Sequence, residues 1–589
     1  MPQIEFKTPG PGAWELEETH FARPVTRYIS GIFAEPFARG FSSGTKRYGL
    51  LLDYFRFAFV NDFCYMKAMA VGAPDNAAGP PPKLIFMLLA RLHPAMRKRL
   101  ANGSDAISRK LWREDLRVWD EEYKPDSIAR NRRFQDVDIR ALGDADFLQY
   151  LADARSNVTE MIYRHHMFTI PCCFPVGHFV AEVQHWTGLS SGEVLGVLKG
   201  AAPVSRGAGH GPLERLQSAL RSGGITAESV RGRDAQSVLN DLRSKAGIAG
   251  PLQEFLDEIG YRVVTGYDIG DKCALEMPEM LLRTMFGASG VSDRDADFAK
   301  RRDALRAKVP EASRGQFDEL LEEARFIYRL RDERGIYNDT WATGLARRAV
   351  LEAGRRLVAN GLLPDAELAI DASHDEIVGM LKGDQGPGVT ELRRRQTWRT
   401  TRTVADAPPW LGMPPSGPPP AEWLPKKGRA NARAVDAVIS NIFHIPDKKP
   451  LANNNNASAT HGSAMNGHVG ESAREVRKSV TGLPVHPGIC EGIARIVNGP
   501  EDFNRLQQGD VLITRNTSPS FNVVLPLLGA IVTDRGGQLS HAAIVAREYG
   551  IPAVVGTRDA TALFPDGARI RVNGDKGEVD LLEQVEQRC

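Results

Sequence analysis

Two hydrophobic periods divide this chain. From about residue 14 to 383 apolar positions recur at helical spacing, and from about 476 to 589 they form short runs broken by Gly, Pro and Asp. In GQFDELLEEARFIYRLRDER, Phe317, Leu320, Leu321, Ala324, Ile327 and Tyr328 line one face of an expected helix. Arg331 falls four residues after Ile327 and three after Tyr328, so it extends that face. In WATGLARRAVLEAGRRLVANG, Ala342, Leu345, Ala346, Ala349, Ala353 and Leu357 share a face, and Gly361 is the expected stop. Near the C-terminus IARIV, DVLIT, GAIVTD, AVVG and ARIRV read as strands, with a helix beginning near His541. The expected fold class is multidomain, a large mainly α-helical domain followed by a C-terminal α/β domain.

The stretch between them has neither period. APPWLGMPPSGPPPAEWLPKK is proline-rich and LANNNNASATHGSAMNGHVG is polar and of low complexity, with a short helix, ANARAVDAVISNIF, expected between them. Neither stretch buries enough apolar surface to offset chain entropy. The expected division is therefore a helical domain over 1–383, a flexible linker over 384–475 and a compact domain over 476–589, the tether leaving the last domain free to move.

Composition narrows the function classes. Across 589 residues, 75 Lys+Arg against 73 Asp+Glu give no support for a nucleic-acid or acidic-membrane partner. No apolar run is long enough to span a bilayer, and MPQIEFKTPGPG lacks a signal-peptide core. The six cysteines form no CxxC pair, so a reducing cytoplasm is the expected location. No metal-ligand spacing is present, and no metal site is expected.

The chemistry concentrates in TDRGGQLSHAAIVAREYGIPAVVG, Thr533 to Gly556. Ser540 is a good N-cap, and HAAIVAREYG runs as a helix until Gly550 and Pro552. His541 then occupies the first helical position, where unpaired amides and the positive end of the dipole converge. That environment disfavours imidazolium and leaves one ring nitrogen nucleophilic, while a phosphoryl group on it would meet anion-stabilising donors. Gly536 and Gly537 clear side chains from the approach. The bland alternative is a histidine that only helps to cap a helix.

The stretch resembles the phosphohistidine swivelling domain of phosphoenolpyruvate synthase and pyruvate phosphate dikinase. The matching residues are Thr533, Gly536, Gly537, Ser540, His541, Ala542, Ala543, Ala546, Arg547, Gly550, Pro552 and Gly556. LPVHPGICEGIARIV and GDVLITRNTSPSFNVVLPLLGAIVTD resemble the strands that precede it. By this resemblance His541 accepts a phosphoryl group and carries it between distant sites, with Thr533, Gly536, Gly537, Ser540 and Arg547 forming the phosphate loop. Arg535 replaces the family's usual acidic or neutral residue before the glycine pair.

A dikinase also needs a nucleotide domain, and none is visible. No GxxxxGK[ST] loop occurs, and SRGAGHGP (Ser205 to Pro212) reads as an ordinary loop. PGAWELEETHFARPVTRY, FLDEIGYRVVTGYDIGDKCALEMPEMLL and ARFIYRLRDERGIYNDTWATGLARRAVLEAGRRLVANG resemble the acceptor-binding region of rifampin phosphotransferase and its relatives. A mobile histidine domain beside such a region resembles one subunit of phenylphosphate synthase. The resemblance implies ATP and Mg²⁺ bound mainly by a partner ATP-grasp subunit, and a phenolic or other aromatic acceptor. Candidate acceptor-site residues are Arg262, Glu276 and Arg334. Arg331 is a candidate phosphoryl clamp, its alternative being a buried pair with a carboxylate such as Glu276. In YRHHMFTIPCCFPVGHFVAEVQHW, an aromatic-rich stretch expected to be a Pro-broken loop, His165 or His166 is a candidate base, or a structural histidine. Phe168, Phe174, Phe179 and Trp186 suit an acceptor pocket or an ordinary core. Two alternatives stand beside this reading, a rifampin-type drug phosphotransferase with its ATP domain in trans and a non-catalytic phosphocarrier or regulator.

Overall fold

The computed structural model describes residues 4–201, 209–264, 266–287, 294–443, 479–517, 521 and 524–583. The chain forms two compact units, the first built mainly from Met1–Val438 and the second from Ile439–Asn498, Arg505–Thr517 and Leu527–Cys589. The first is mainly α-helical and the second holds an eight-stranded sheet, as the periodicities imply.

In the first unit the helix Asp144–Met167 buries Phe147, Tyr150, Leu151, Ala154, Val158, Met161 and Ile162 at three- and four-residue intervals. It packs against Ala34–Arg47 and Asp339–Ala359. The last of these offers a face of small residues, Ala342, Ala346, Ala349 and Ala353, all fully or almost fully buried, which lets the helices approach closely. It ends at Gly361, whose φ of +72° fits glycine.

Three expectations change here. The helix read through Arg331 is two helices, Arg314–Ile327 and Leu330–Tyr337. The second has its own inward face of Leu330, Glu333 and Ile336, and Arg329 turns to bridge Glu333 and Asp120. Arg331 therefore does not continue the apolar stripe of Phe317 to Ile327. The second change concerns the Pro-broken loop, which is a continuous helix, Thr169–Thr187. Pro171 lies in its first turn, where no amide is required, and Pro175 is tolerated inside a fully packed stretch. The third concerns residues 384–443, expected as linker around one short helix; that helix is present as Lys426–Phe443, but the stretch also holds the helix Val389–Thr401 and the edge strand Trp410–Gly412. Ion pairs anchor the first helix, with Arg395 on Glu376 and Arg399 on Asp371, 2.8 and 2.7 Å away. The strand pairs antiparallel with Ala13–Glu15. The Asn-rich stretch lies outside the described residues, as do Ser205 to Ala208 of the glycine cluster.

In the second unit Ile489–Ile496, Asp510–Thr514, Leu528–Thr533 and Ala553–Val555 run parallel side by side. Each parallel step needs a crossover, and His541–Tyr549 is the helix between Leu528–Thr533 and Ala553–Val555. The histidine loop thus leaves the carboxyl end of a central strand, the position where open α/β sheets place their sites. Val511, Ile513, Ala530, Val532 and Val554 form the dry core beneath it.

Candidate functional site

The local sequence builds the histidine loop as expected. Ser540 adopts φ −66° and ψ 161°, and its hydroxyl accepts from Ala543 N at 3.4 Å, so it caps the helix. Gly550, with φ +73°, closes the far end. His541 is the first helical residue and is half-buried, and its Nδ1 lies 2.9 Å from Thr517 Oγ1. Gly536 has φ +102°, and a Cβ there would come within 2.8 Å of Ser540 Cβ.

The other loop residues act differently from one another. Gly537 admits a backbone, since a Cβ there would lie 2.2 Å from the carbonyl of Asn441, also part of this unit. Thr533 is buried and donates to Arg535 O at 2.7 Å. Arg547 is buried too, and its guanidinium donates to the backbone carbonyl of Gln538 at 2.5 Å and to that residue's side-chain oxygen. Thr533 and Arg547 shape the loop from within. Asp534 receives the amide of Thr561 at 3.0 Å, and burial raises its carboxyl above the usual range. Arg535 points outward and is exposed.

A second polar group lies within the first unit. His165, in the last turn of Asp144–Met167, places Nδ1 2.9 Å from Oδ1 of Asp339, the first residue of Asp339–Ala359. Both side chains are almost wholly buried. Burial pushes Asp339 up to about 7. Burial first, then the charges of Arg334, His20 and Arg331, push His165 well below its ordinary value. His166 is depressed in the same way by burial and by His165, His20 and Arg334. Its ring lies 3.6 Å from Phe37 and 5.6 Å from His20, centroid to centroid. Tyr267 faces His20 at 5.1 Å and His165 at 6.2 Å. Arg334 donates through Nη1 to His165 O and Thr169 Oγ1, both at 2.9 Å. Among the described residues, Arg334 Nε, Arg331 Nη1 and His166 Nδ1 are buried without a hydrogen-bond partner, although Arg331 Nη1 lies 3.6 Å from Asp332 Oδ1 in an ion pair. Buried donors of this kind are costly unless a ligand or water meets them. Burial works against ionisation of Cys172, yet its hydrogen bond with Cys173 and the charges of Arg334 and Arg331 bring that thiol down to about 7. The group is electropositive, and it meets solvent through the partly exposed His20, Tyr267 and Arg331.

The structure therefore brings together His165, His166, Arg331 and Arg334; Glu276 is paired elsewhere, and Arg262 is held through Nε while its Nη1 and Nη2 are buried without a hydrogen-bond partner. Arg262 Nε donates to Ile336 O at 3.0 Å, and its guanidinium lies 4.4 Å over Trp341. Glu276 accepts two hydrogen bonds at 2.8 Å from the buried Arg347, which also reaches Glu367. The carboxylate offered as a partner for Arg331 is therefore Arg347's. Phe168 packs on Trp119, Phe174 on Tyr48 and Phe179 on Phe317, as ordinary core. Sequence reasoning missed Asp339, Tyr267, His20 and Thr517. Only Asp339 carried a local sign, as an acidic residue opening a helical run. Among the described residues no group of three or more His, Cys, Asp or Glu could hold a metal ion, and no helix is long and apolar enough to cross a membrane.

A capped helix presenting a histidine at the carboxyl edge of a parallel sheet defines the class of the C-terminal unit. Residues 506–577 match the family of the PEP-utilising enzyme, mobile domain, and the unit is a mobile domain of that family. Over 343 residues the chain is 27% identical to the uncharacterized phosphotransferase YvkC of Bacillus subtilis (strain 168), covering 56% of this chain and 36% of that protein. It is 45% identical over 105 residues to rifampicin phosphotransferase of Bacillus cereus, covering 18% of this chain and 12% of that protein. It is 43% identical over 121 residues to a probable phosphoenolpyruvate synthase of Staphylothermus marinus, covering 19% and 14%. The chain thus spans about a third of the first relative's length and less of the others'.

Proposed function

We propose that this chain is a phosphotransferase that takes a phosphoryl group onto His541 and passes it to the hydroxyl of a phenolic or other aromatic acceptor, giving an aryl phosphate. The observation that carries this reading is His541 itself, a half-buried imidazole at a Ser540-capped helix mouth within the matched mobile domain. The relatives named as phosphotransferases and as a phosphoenolpyruvate synthase support the reaction class.

ATP with Mg²⁺ belongs, in this proposal, to a partner subunit of the ATP-grasp type, because no stretch of the sequence resembles an ATP-grasp domain. The described residues offer no magnesium cluster, so no step is assigned to the ion. Nucleophilic attack by His541 forms the P–N bond as the bond to the nucleotide breaks. The tethered unit then moves to the acceptor. The acceptor oxygen attacks phosphorus, the P–N bond to His541 breaks, and the hydroxyl proton passes to His165. The guanidinium groups of Arg331 and Arg334, which keep buried N–H groups without a hydrogen-bond partner, are suited to the equatorial phosphoryl oxygens, where charge stabilisation does most of the work. Phe37 and Tyr267 supply aromatic surface beside the histidines.

The test is intact mass at alkaline pH, which preserves phosphohistidine, after ATP is added with and without a candidate nucleotide-binding subunit. A panel of phenols, with rifampicin included, then challenges the adduct. An adduct that needs the partner, maps to His541, is absent in His541→Ala and is discharged by a phenol supports the reading. Discharge by rifampicin alone supports the drug-modifying alternative, for which the identity to rifampicin phosphotransferase speaks. An adduct that resists every small acceptor points to a phosphocarrier or regulator. Retained turnover in His541→Ala overturns the central claim.

A further inference from the structure

Resting on the acceptor role proposed for the His165 group, we infer that Asp339 is the positioning residue of that site, holding His165 in the Nδ1–H tautomer so that Nε2 is the atom that takes the acceptor's proton. The dyad is a contact across 174 residues of sequence, with a single distance of 2.9 Å between His165 Nδ1 and Asp339 Oδ1. His165 and Asp339 are each about nineteen-twentieths buried, so neither is tied up by solvent. Above about pH 7, where Asp339 is ionised, its carboxylate can only accept, so the nitrogen facing it bears the hydrogen and the other nitrogen keeps its lone pair. Arg334 fixes the histidine's own carbonyl at 2.9 Å, so the backbone that carries the ring is pinned as well.

The groups facing the dyad favour a neutral imidazole. They are Arg331 and Arg334 from Leu330–Tyr337, His166 from the same helix as His165, His20 from the loop after Ala13–Leu16, and Tyr267 from the segment before Ala274. Two of these are guanidinium groups, which oppose a further positive charge. Among the described residues the carboxylate hydrogen-bonded to the ring is that of Asp339, so the charge that develops on His165 during transfer is compensated from that side. Asp339 does not reach the acceptor in this arrangement and acts through His165.

The experiment uses the full chain labelled with ¹⁵N-histidine, and long-range ¹H–¹⁵N correlations read the His165 tautomer, assigned by loss of signals in His165→Gln. The wild-type chain is expected to show the Nδ1–H form, Asp339→Asn to shift toward the Nε2–H form, and Asp339→Glu to restore the wild-type form in part. In parallel, pre-formed phospho-His541 is chased with phenol as the probe. Asp339→Asn is expected to slow discharge by about 10²-fold, the lower end of a general-base contribution, with little change in the half-saturating phenol concentration. A merely structural Asp339 predicts instead an unchanged tautomer, with lowered stability and weakened phenol saturation. An Nε2–H wild-type histidine, or a tautomer and rate indifferent to Asp339→Asn, overturns the inference. If phenol leaves wild-type phospho-His541 untouched, the functional reading fails, and the tautomer result alone still decides the inference.

Discussion

If His541 takes the phosphoryl group as proposed, its contact with Thr517 selects the nitrogen that carries phosphorus. Thr517 Oγ1 lies 2.9 Å from Nδ1, so the nucleophilic form has the Nδ1–H donating to the threonine and the lone pair on Nε2. Thr517→Val keeps the shape and removes the acceptor. The site is half-exposed, so water can replace part of what is lost, and the cost is that of one neutral hydrogen bond, about 1 kcal/mol. Applied to the transition state, that is about a fivefold slower phosphorylation of His541. The assay is the rate of phosphohistidine formation from ATP with the nucleotide-binding subunit, followed by ³¹P and ¹⁵N NMR of the alkaline-quenched adduct. The expected product is Nε2-phosphohistidine in both proteins, with a modest rate loss in the variant. An Nδ1 adduct in the wild-type chain would refute the reasoning, because the nitrogen committed to Thr517 could not then be the nucleophile. A loss above about a hundredfold would also count against it, since one neutral bond cannot account for so much.

Three other outcomes follow from particular contacts. Gly536→Ala places a side chain at φ +102° and within 2.8 Å of Ser540 Cβ, so it is expected to cost more than about 1 kcal/mol and to lower both the melting temperature and the phosphorylation rate. Arg399→Ala leaves the buried Asp371 carboxylate unpaired and is expected to destabilise the first unit by about 3 kcal/mol, whereas the same change in a true linker would leave melting unaltered. Asp339, raised to about 7 by burial, contributes stability that is present below its unfolded value near 4 and is lost as pH rises through about 7. Asparagine has no such dependence, so the melting temperature of the wild-type chain minus that of Asp339→Asn should fall between pH 5 and 8. A flat or rising difference would contradict the assigned shift.

What could be read from the sequence was whatever is encoded within one turn of helix or one strand. Ser540 and Gly550 bracket nine helical residues, and the apolar runs before them alternate with turn residues, so the strand, loop and helix of the histidine site were legible locally. The same logic missed the helix Val389–Thr401 and the strand Trp410–Gly412. Prolines between 408 and 420 remove amide donors, which argues against a central strand but not against an edge. Trp410–Gly412 takes that edge position beside Ala13–Glu15, a pairing across almost 400 residues that no local pattern signals. Arg331 was misread for a related reason. Helical periodicity continues smoothly through Tyr328, yet Arg329 turns to meet Asp120 and Glu333, and the face is reset. Long-range pairing also hid the His165 group proposed to hold the acceptor. His165 and Arg334 could be named because histidine and arginine suggest chemistry anywhere, but Asp339 becomes meaningful only when folding places its carboxylate against His165. The histidine loop of the second unit is thus carried by a motif. The His165 group of the first unit, proposed to hold the acceptor, is carried by tertiary packing, and the Asp339 and Arg399 variants probe the packing of that unit directly.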